Sequence, residues 1–426
     1  MLVWLSTEKR PSLKKGDRAR CSLWLAQNLI PPPWSQHGRF KMEDSGKSPE
    51  ICLKVFHKAD GRDIHYACSL LRRDSSSDST QFLDPSTVDS ECRACWVLFY
   101  QAGPNRRLLE SVLARYAPKF DVPKDTLFLC LNRPGKGGSS SPLGPVDGDG
   151  YTCGDSGESS SEKTYIHIAS EDVISILDHY GIKQTNLVYM CAGSTFAYHF
   201  ASRYSERATG HIIGMSSWVL RSIDSSGDES IVETPEMNSK VHKLAMSGWL
   251  PKGFLAYLGS GLTRVMLPVL INNLPEGWFV DAFRKELSSI ENEEFEEVYG
   301  DGAQFLDMMR RLYADKPEDS VSVNEEPEGA RKIQCHNDGD ALDLAVCMST
   351  QQELGLSYSY ETFPTQKEVI LFHGECDRMV SIAGAQYLSR SLPNTTLSTE
   401  PYGSHQGGML FYPKEVMEAL NRISSK

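Results

Sequence analysis

The sequence predicts an α/β protein: a mostly parallel central sheet with helices on both faces, interrupted by an inserted helical segment. Three observations carry this. Up to about residue 220, short apolar runs that end in Gly, Pro or Asn alternate with stretches of helical apolar spacing. Over 221–365 the alternation stops, and the pattern is mainly helical with breaks at Pro251, Pro268 and Pro275. It resumes at residue 368 and continues to the end of the chain.

Taken in order, ICLKVFHKADGRDIHYAC at 51–68 reads as two strands joined at Asp60-Gly61, a hairpin turn signal. The polar, Ser/Asp-rich stretch 72–91 reads as a loop. CWVLF at 95–99 is a buried strand ending in Gln101-Ala102-Gly103-Pro104, and 108–116 has helical spacing. TLFLC at 126–130 is the next strand. Residues 137–161 hold seven Gly, seven Ser and two Pro, which cannot bury enough surface to order a segment, so a disordered insertion is expected. Ile168, Val173, Ile176 and Leu177 share one helical face, with Gly181 as the terminator. A strand at 186–190, a helix at 195–204 and a strand at 210–215 follow. After the insertion come a strand at 368–372, a helix at 383–392, a short strand at 396–399 and a final helix at 413–423. The expected organisation is a basic tail (1–50), a first core part (51–220), a helical cap (221–365) and a second core part (366–426).

Apolar residues make up 40% and charged residues 23%, which excludes a wholly disordered or fibrous chain. The longest apolar runs fall well short of the roughly 20 residues of a membrane span. The net charge of −12 leaves no basic surplus for nucleic acid. Residues 1–41 nevertheless carry eight Lys/Arg against two Asp/Glu. Three readings stand for them: an organelle-targeting segment, a disordered tail, or a start upstream of a true one at Met42. Eleven cysteines at no repeating spacing fit a reducing compartment, and the cytoplasm is expected. Cys92-x-x-Cys95 lacks a second pair at zinc-ligand spacing, so neither metal nor cofactor is expected.

Ligand sites on an open α/β sheet gather at the carboxyl ends of its strands. Four such ends bear suggestive residues here: Gln101-Ala102-Gly103-Pro104, Cys191-Ala192-Gly193, Asp377 and His405. The last three follow one another as nucleophile, acid and base.

In that order and spacing the sequence resembles the α/β-hydrolase fold superfamily. LVYMCAGSTFAYHFASRYSERATGHIIGMSSW resembles its nucleophile strand, elbow, helix and next strand. VLFYQAGPN resembles the oxyanion-loop segment, LCLNRPGKGGS the Pro-Gly-x-Gly stretch after the following strand, EVILFHGECDRMV the acid-bearing strand and PYGSHQGG the histidine loop. The match covers about 95–220 and 366–426, touches 51–70, and hardly enters 221–365. The resemblance implies Cys191 as nucleophile, His405 as general base and Asp377 as its orienting acid, with Glu375 the nearest rival for the last role. It also implies oxyanion-hole amides on Ala192 and Gly103. The chain departs from the family's His-Gly ahead of Gly103, and it carries Tyr189 two residues before the nucleophile, where the family prefers Gly. Placing Ser194 at the elbow would put Phe196 at plus two; placing Cys191 there puts Gly193 at plus two, which suits the turn.

These residues imply a hydrolase of a small-molecule ester, thioester or lactone acting through an acyl-enzyme. The alternatives are an inactive binder of the same fold and an acyltransferase using the same triad. A thiolate suits the place, because a helix N-terminus and a nearby imidazolium both stabilise it.

Overall fold

In the computed structural model the structure describes residues 52–73, 80–83, 94–100, 126–140, 164–220, 222–223, 229–230, 269, 271–272, 275–313, 339–356, 358–360, 363, 368–377, 379–405 and 414–424. Eleven strands occur among them: β1 (Cys52–His57), β2 (Asp63–Arg73), β3 (Thr80–Leu83), β4 (Ala94–Phe99), β5 (Thr126–Leu131), β6 (Asn186–Met190), β7 (Ile212–Met215), β8 (Ser222–Ile223), β9 (Glu229–Ser230), β10 (Val369–Gly374) and β11 (Thr395–Glu400). Nine belong to one sheet in the order β1-β2-β5-β4-β6-β7-β10-β11, with β3 paired to β2. Ladders from β5 to β11 are parallel, and those involving β1, β2 and β3 are antiparallel.

The composition of each strand matches its place. Central strands covered on both faces need apolar residues at every position, and β5 (TLFLCL) is buried along its whole length. Trp96, Val97, Leu129, Leu187, Ile213 and Leu371 form the middle of the core. β11 (TTLSTE) lies at the end of the sheet order, is half-exposed, and carries the polar residues an edge strand tolerates.

The chain order reverses direction at β4. From β4 it steps to β5 on one side, then crosses back to β6 on the other, and continues outward through β7, β10 and β11. Such a reversal leaves a crevice at the carboxyl ends of the two strands that flank it. Here those strands are β4 and β6, paired so that Phe99 stands opposite Tyr189.

Helices α1 (Tyr165–His179) and α2 (Gly193–Arg203) follow β5 and β6. α1 buries Ile166, Ile168, Val173, Ile176 and Leu177 on one face. It ends where Gly181 takes φ 65 and the Ile182 N–H reaches back to Leu177 O at 2.8 Å, a left-handed terminator that glycine adopts without strain. Helices α3 (Glu276–Arg284), α4 (Ser289–Tyr299), α5 (Ala303–Tyr313) and α6 (Gly339–Met348) lie within 221–365. α3, α4 and α5 share a cluster of Phe279, Phe283, Phe295 and Phe305, with Phe283 and Phe305 ring centroids 4.4 Å apart. Helices α7 (Ile382–Ser391) and α8 (Lys414–Ser424) complete the second core part.

Two expectations change in detail. The stretch read as a loop at 72–91 contains β3, whose four residues (TQFL) show no period-2 alternation but find an open edge on β2. Gly137–Ser140, the start of the Ser/Gly-rich segment, is packed: the Asp63 N–H donates to Ser140 Oγ at 2.8 Å and the His65 N–H to Ser139 Oγ at 2.9 Å. Residues 141–161 and the expected helix at 108–116 lie outside the described residues, as does the tail 1–50. The two-residue ladder of β8 and β9 adds only a local hairpin to the helical segment.

Candidate active site

β6 ends at Met190, and the chain enters α2 at Gly193. The whole turn is Cys191-Ala192. Cys191 takes φ 51, the left-handed region that a residue with a Cβ enters only under strain of about 1–3 kcal/mol. The surroundings hold it there. Its N–H donates to Met215 O at 3.0 Å, and its carbonyl accepts from the Ser194 N–H at 3.0 Å and the Trp218 N–H at 3.3 Å.

Gly193 explains why the plus-two residue must be small. A Cβ there would lie 2.0 Å from Phe99 O and 3.0 Å from Tyr100 O, so the start of α2 rests on the end of β4. That contact brings the Cys191-Ala192 turn against the carboxyl end of β4. Gly103 itself lies outside the described residues. Ala192 is buried, and among the described residues its N–H donates to no carbonyl.

Asp377 and His405 follow β10 and β11, two and three strands along the sheet from β6. Asp377 follows β10, which ends at Gly374. Its Oδ1 accepts the N–H groups of Met379 and Val380 at 2.8 Å each, and its Oδ2 accepts His405 Nδ1–H at 2.8 Å. Burial alone would raise this carboxyl, but the charge of His405 and these hydrogen bonds hold it below the ordinary carboxylate range. Burial would likewise push His405 down. Asp377 and then Cys191 outweigh it, and the imidazole is pushed up to about 10. With Nδ1–H committed to Asp377, Nε2 is the nitrogen left for chemistry. It is buried and makes no aligned hydrogen bond, although the Cys191 thiol is near enough to favour the charged ring. Loose alignment of this kind is common in resting active sites.

The rivals sit elsewhere. Ser194 is buried, and its Oγ donates to Trp218 O, which leaves the hydroxyl no free proton to give a base. Glu375 is exposed and accepts from Thr399 Oγ1 at 3.0 Å. Tyr189 leaves the turn sideways. Its ring stands over Gly214 of β7, and its hydroxyl meets Tyr198 Oη at 2.9 Å and Ser217 Oγ at 2.7 Å.

Four neighbours were not singled out from the sequence. His373, at the end of β10, is buried with Nε2 donating to Val380 O at 3.0 Å, and it stands 3.9 Å from Asp377 Oδ2. Burial keeps it below the usual histidine value, hence neutral. Arg133, inside the Asn132-Arg133-Pro134-Gly135 turn, donates Nη1–H to Tyr100 O at 2.9 Å and Nε–H to Asp343 Oδ1 at 2.8 Å. Its guanidinium also covers the Phe196 ring of α2 at 4.4 Å. Asp343, fully buried on α6, additionally pairs with Lys136 and accepts from Tyr165 Oη at 3.0 Å. Arg133 could have been suspected from its motif. Asp343 could not, because it belongs to the stretch with no family pattern. α6 also brings Cys347 beside Cys191. Burial, and then the neighbouring Cys191, raise the Cys347 thiol, and it stays protonated. Its carbonyl accepts the Trp218 indole N–H at 3.2 Å.

Among the described residues no cluster of His, Cys, Asp and Glu is arranged to hold a metal ion, and no helix is long and apolar enough to cross a membrane.

No protein-family model matches the chain, and no curated protein sequence matches it. Solved structures do. The chain is similar to the crystal structure of DBJA (mutant dbja delta), at 10% identity and TM-score 0.50, over 88% of this chain and 98% of that one. It is similar to an alpha/beta hydrolase fold protein from Chitinophaga pinensis, at 11% identity and TM-score 0.49, over 88% and 96%. It is also similar to an alpha/beta hydrolase enzyme from a Medee basin deep-sea metagenome library, at 14% identity and TM-score 0.48, over 88% and 98%. Identities this low speak to architecture alone. Together with the sheet order and the strand-to-helix turn at Cys191, the architecture is the α/β-hydrolase fold.

Proposed function

We propose that the protein is a hydrolase that cleaves an ester, thioester or lactone through a Cys191–His405–Asp377 triad and an acyl-enzyme intermediate. One observation carries the reading: a cysteine held at φ 51 at the β6–α2 turn is accompanied by an imidazole whose Nδ1 is tied to a buried carboxylate at 2.8 Å. Such a conformation is what aims a nucleophile out of a strand-to-helix turn.

The chemistry follows from the charges. His405 Nε2 already holds the proton taken from Cys191, and Asp377 stabilises this imidazolium beside the sulfur. The thiolate sulfur attacks the carbonyl carbon, and the carbonyl π electrons move onto oxygen. The Ala192 N–H meets that oxyanion, with Gly103 proposed as the second donor. The tetrahedral adduct collapses, the bond to the leaving alkoxide or thiolate breaks, and His405 Nε2–H protonates the departing group. Water then enters. Nε2 removes its proton as the oxygen attacks the acyl carbon, the carbon–sulfur bond breaks, and the carboxylic acid leaves. His405 keeps the proton taken from water, which restores the starting imidazolium beside Cys191. The substrate is a small acyl compound, and no cofactor enters any step. We read α3 to α6 as parts of a cap over this edge, because Asp343 and Cys347 of α6 meet residues that follow β5 and β7, and Glu291 of α4 meets Ser404 after β11.

The test is an intact-mass measurement after incubation with a panel of activated esters. The expected result is an acyl adduct on Cys191 that decays as product appears, and that is missing in Cys191→Ala. An adduct of undiminished size in Cys191→Ala would sink the assignment. Failure of every ester to acylate the wild-type chain would favour a binder.

A further inference from the structure

The loop that carries His405 is held from two sides. Toward the sheet, Gly403 presses on Gly374 so closely that a Cβ on Gly374 would lie 2.1 Å from Gly403 O. Gly403 O also accepts the Cys376 N–H at 3.0 Å. The second hold comes from the helical segment. Glu291, in the first turn of α4, accepts the Ser404 N–H on Oε1 at 2.7 Å. Its Oε2 accepts the Ser288 N–H at 2.8 Å, while Ser288 Oγ accepts the Glu291 N–H at 3.2 Å.

The Ser288 and Glu291 bonds form a capping box, a common device that satisfies two orphan donors of a helix N-terminus. The usual glutamate in this device keeps its other oxygen in water. Glu291 does not: the side chain is only 8% exposed, and its second oxygen is spent on a backbone amide 113 residues away. A carboxylate withdrawn from water is costly unless its lone pairs are taken up, so the pairing is demanding in geometry. A charge-assisted N–H···O bond of this length is also stiffer than a neutral one. The residue it holds is the one immediately before His405.

We propose that Glu291 is a positioning residue for His405, which it acts on through the Ser404 amide. The catalytic imidazole is then correctly placed only while α4 is docked against its loop, and the helical segment becomes part of the catalytic apparatus as well as a cover. Side-chain ties to Asp377 set the tilt of the ring, whereas the Glu291 bond sets where the loop carries it. This inference rests on the triad reading.

The experiment measures kcat and KM separately on the full chain with p-nitrophenyl acetate, for wild type, Glu291→Ala, Glu291→Gln, Glu293→Ala and Cys191→Ala. Glu293 is an exposed residue of the same helix and serves as the control. Displacement of a reacting group by about 1 Å costs on the order of 100-fold, so Glu291→Ala is expected to lower kcat by roughly 10- to 100-fold with KM within about twofold. Glu291→Gln keeps one of the two acceptor oxygens and should fall between Glu291→Ala and wild type. Glu293→Ala should match wild type. If Glu291→Ala does not fold, Glu291→Gln decides: reduced kcat at constant KM supports the proposal, and unchanged kcat overturns it. Glu291 variants that lose stability but keep the wild-type kcat also overturn it. The Cys191→Ala arm separates the two failures. An inactive Cys191→Ala beside fully active Glu291 variants removes only this inference, whereas an active Cys191→Ala removes the triad itself.

Discussion

Tyr189 stands directly opposite Gly214 in the β6–β7 ladder, and its ring occupies the space a side chain at Gly214 would need: a Cβ there would meet Tyr189 Cζ at 2.1 Å. This is how the chain carries a large residue two positions before the nucleophile. The ring crosses the neighbouring strand, and the hydroxyl anchors on Tyr198 and Ser217. Tyr189→Phe should cost about 1–3 kcal/mol, because the buried Tyr198 and Ser217 hydroxyls each lose a partner. It should leave the acylation rate of Cys191 unchanged. Tyr189→Gly would restore the family's small residue but should cost about 3–5 kcal/mol through the cavity it leaves. Urea unfolding alongside ester-burst kinetics checks both.

Ser194 offers a clean control on the nucleophile. It is three residues from Cys191 and fully buried, with its hydroxyl committed to Trp218 O. Ser194→Ala should lose about 1 kcal/mol of stability and keep its activity on activated esters. Cys191→Ser should retain far less, since the surrounding charges suit a thiolate. Activity that follows Ser194 instead would transfer the nucleophile to α2.

The Arg133–Asp343–Lys136 group ties α6 to the turn after β5, with all three side chains at most 5% exposed. The two cations hold Asp343 below the ordinary carboxylate range against the upward push of burial. Removing one member of a buried ion group typically costs ~3–5 kcal/mol, because the remaining charge is left unpaired. Asp343→Ala should therefore be more destabilising than the combined Arg133→Met, Lys136→Met, Asp343→Leu replacement. The combined variant should still show reduced kcat, since Arg133 also holds Tyr100 O at the entry to the oxyanion loop. Chemical denaturation of the two variants, with ester kinetics on the second, tests this.

The His405–Asp377 pair also predicts how stability depends on pH. The folded-state pKa of His405 lies above its unfolded value, at about 10 against 6.5. Its contribution is thus fully present below about pH 6.5 and is lost as pH rises through about 10. Asp377 shifts downward, so its contribution is present above an ordinary carboxylate pKa and is lost in acid. The stability difference between wild type and His405→Gln should be largest near pH 6 and shrink toward pH 10. A difference that stays constant over that interval would show that the ring is not held charged in the fold.

The sequence by itself determined most of the strand-and-helix order of the core, because that order depends on local chemistry. Central strands must be apolar throughout, and LVYM and VILF are. Glycine at 181 answers a backbone demand that arises within a few residues. Cys191, Asp377 and His405 fall after β6, β10 and β11, and the sheet topology decides which of those ends are neighbours. β3 was illegible because four residues without alternating polarity gain strand character only from an edge to pair with. Tyr189 read as an obstacle until Gly214 opposite it supplied the room, and neither residue predicts the other along the chain. The roles of Glu291, Arg133 and Asp343 were decided by tertiary structure alone. A glutamate in an acidic run is a solvated charge until the loop before His405 closes over it, and a lone aspartate in an unmatched helix has no meaning until two cations arrive 207 and 210 residues away in sequence. Burial creates the electrostatics of this site, and burial is settled only when the sheet and the helical segment have packed together.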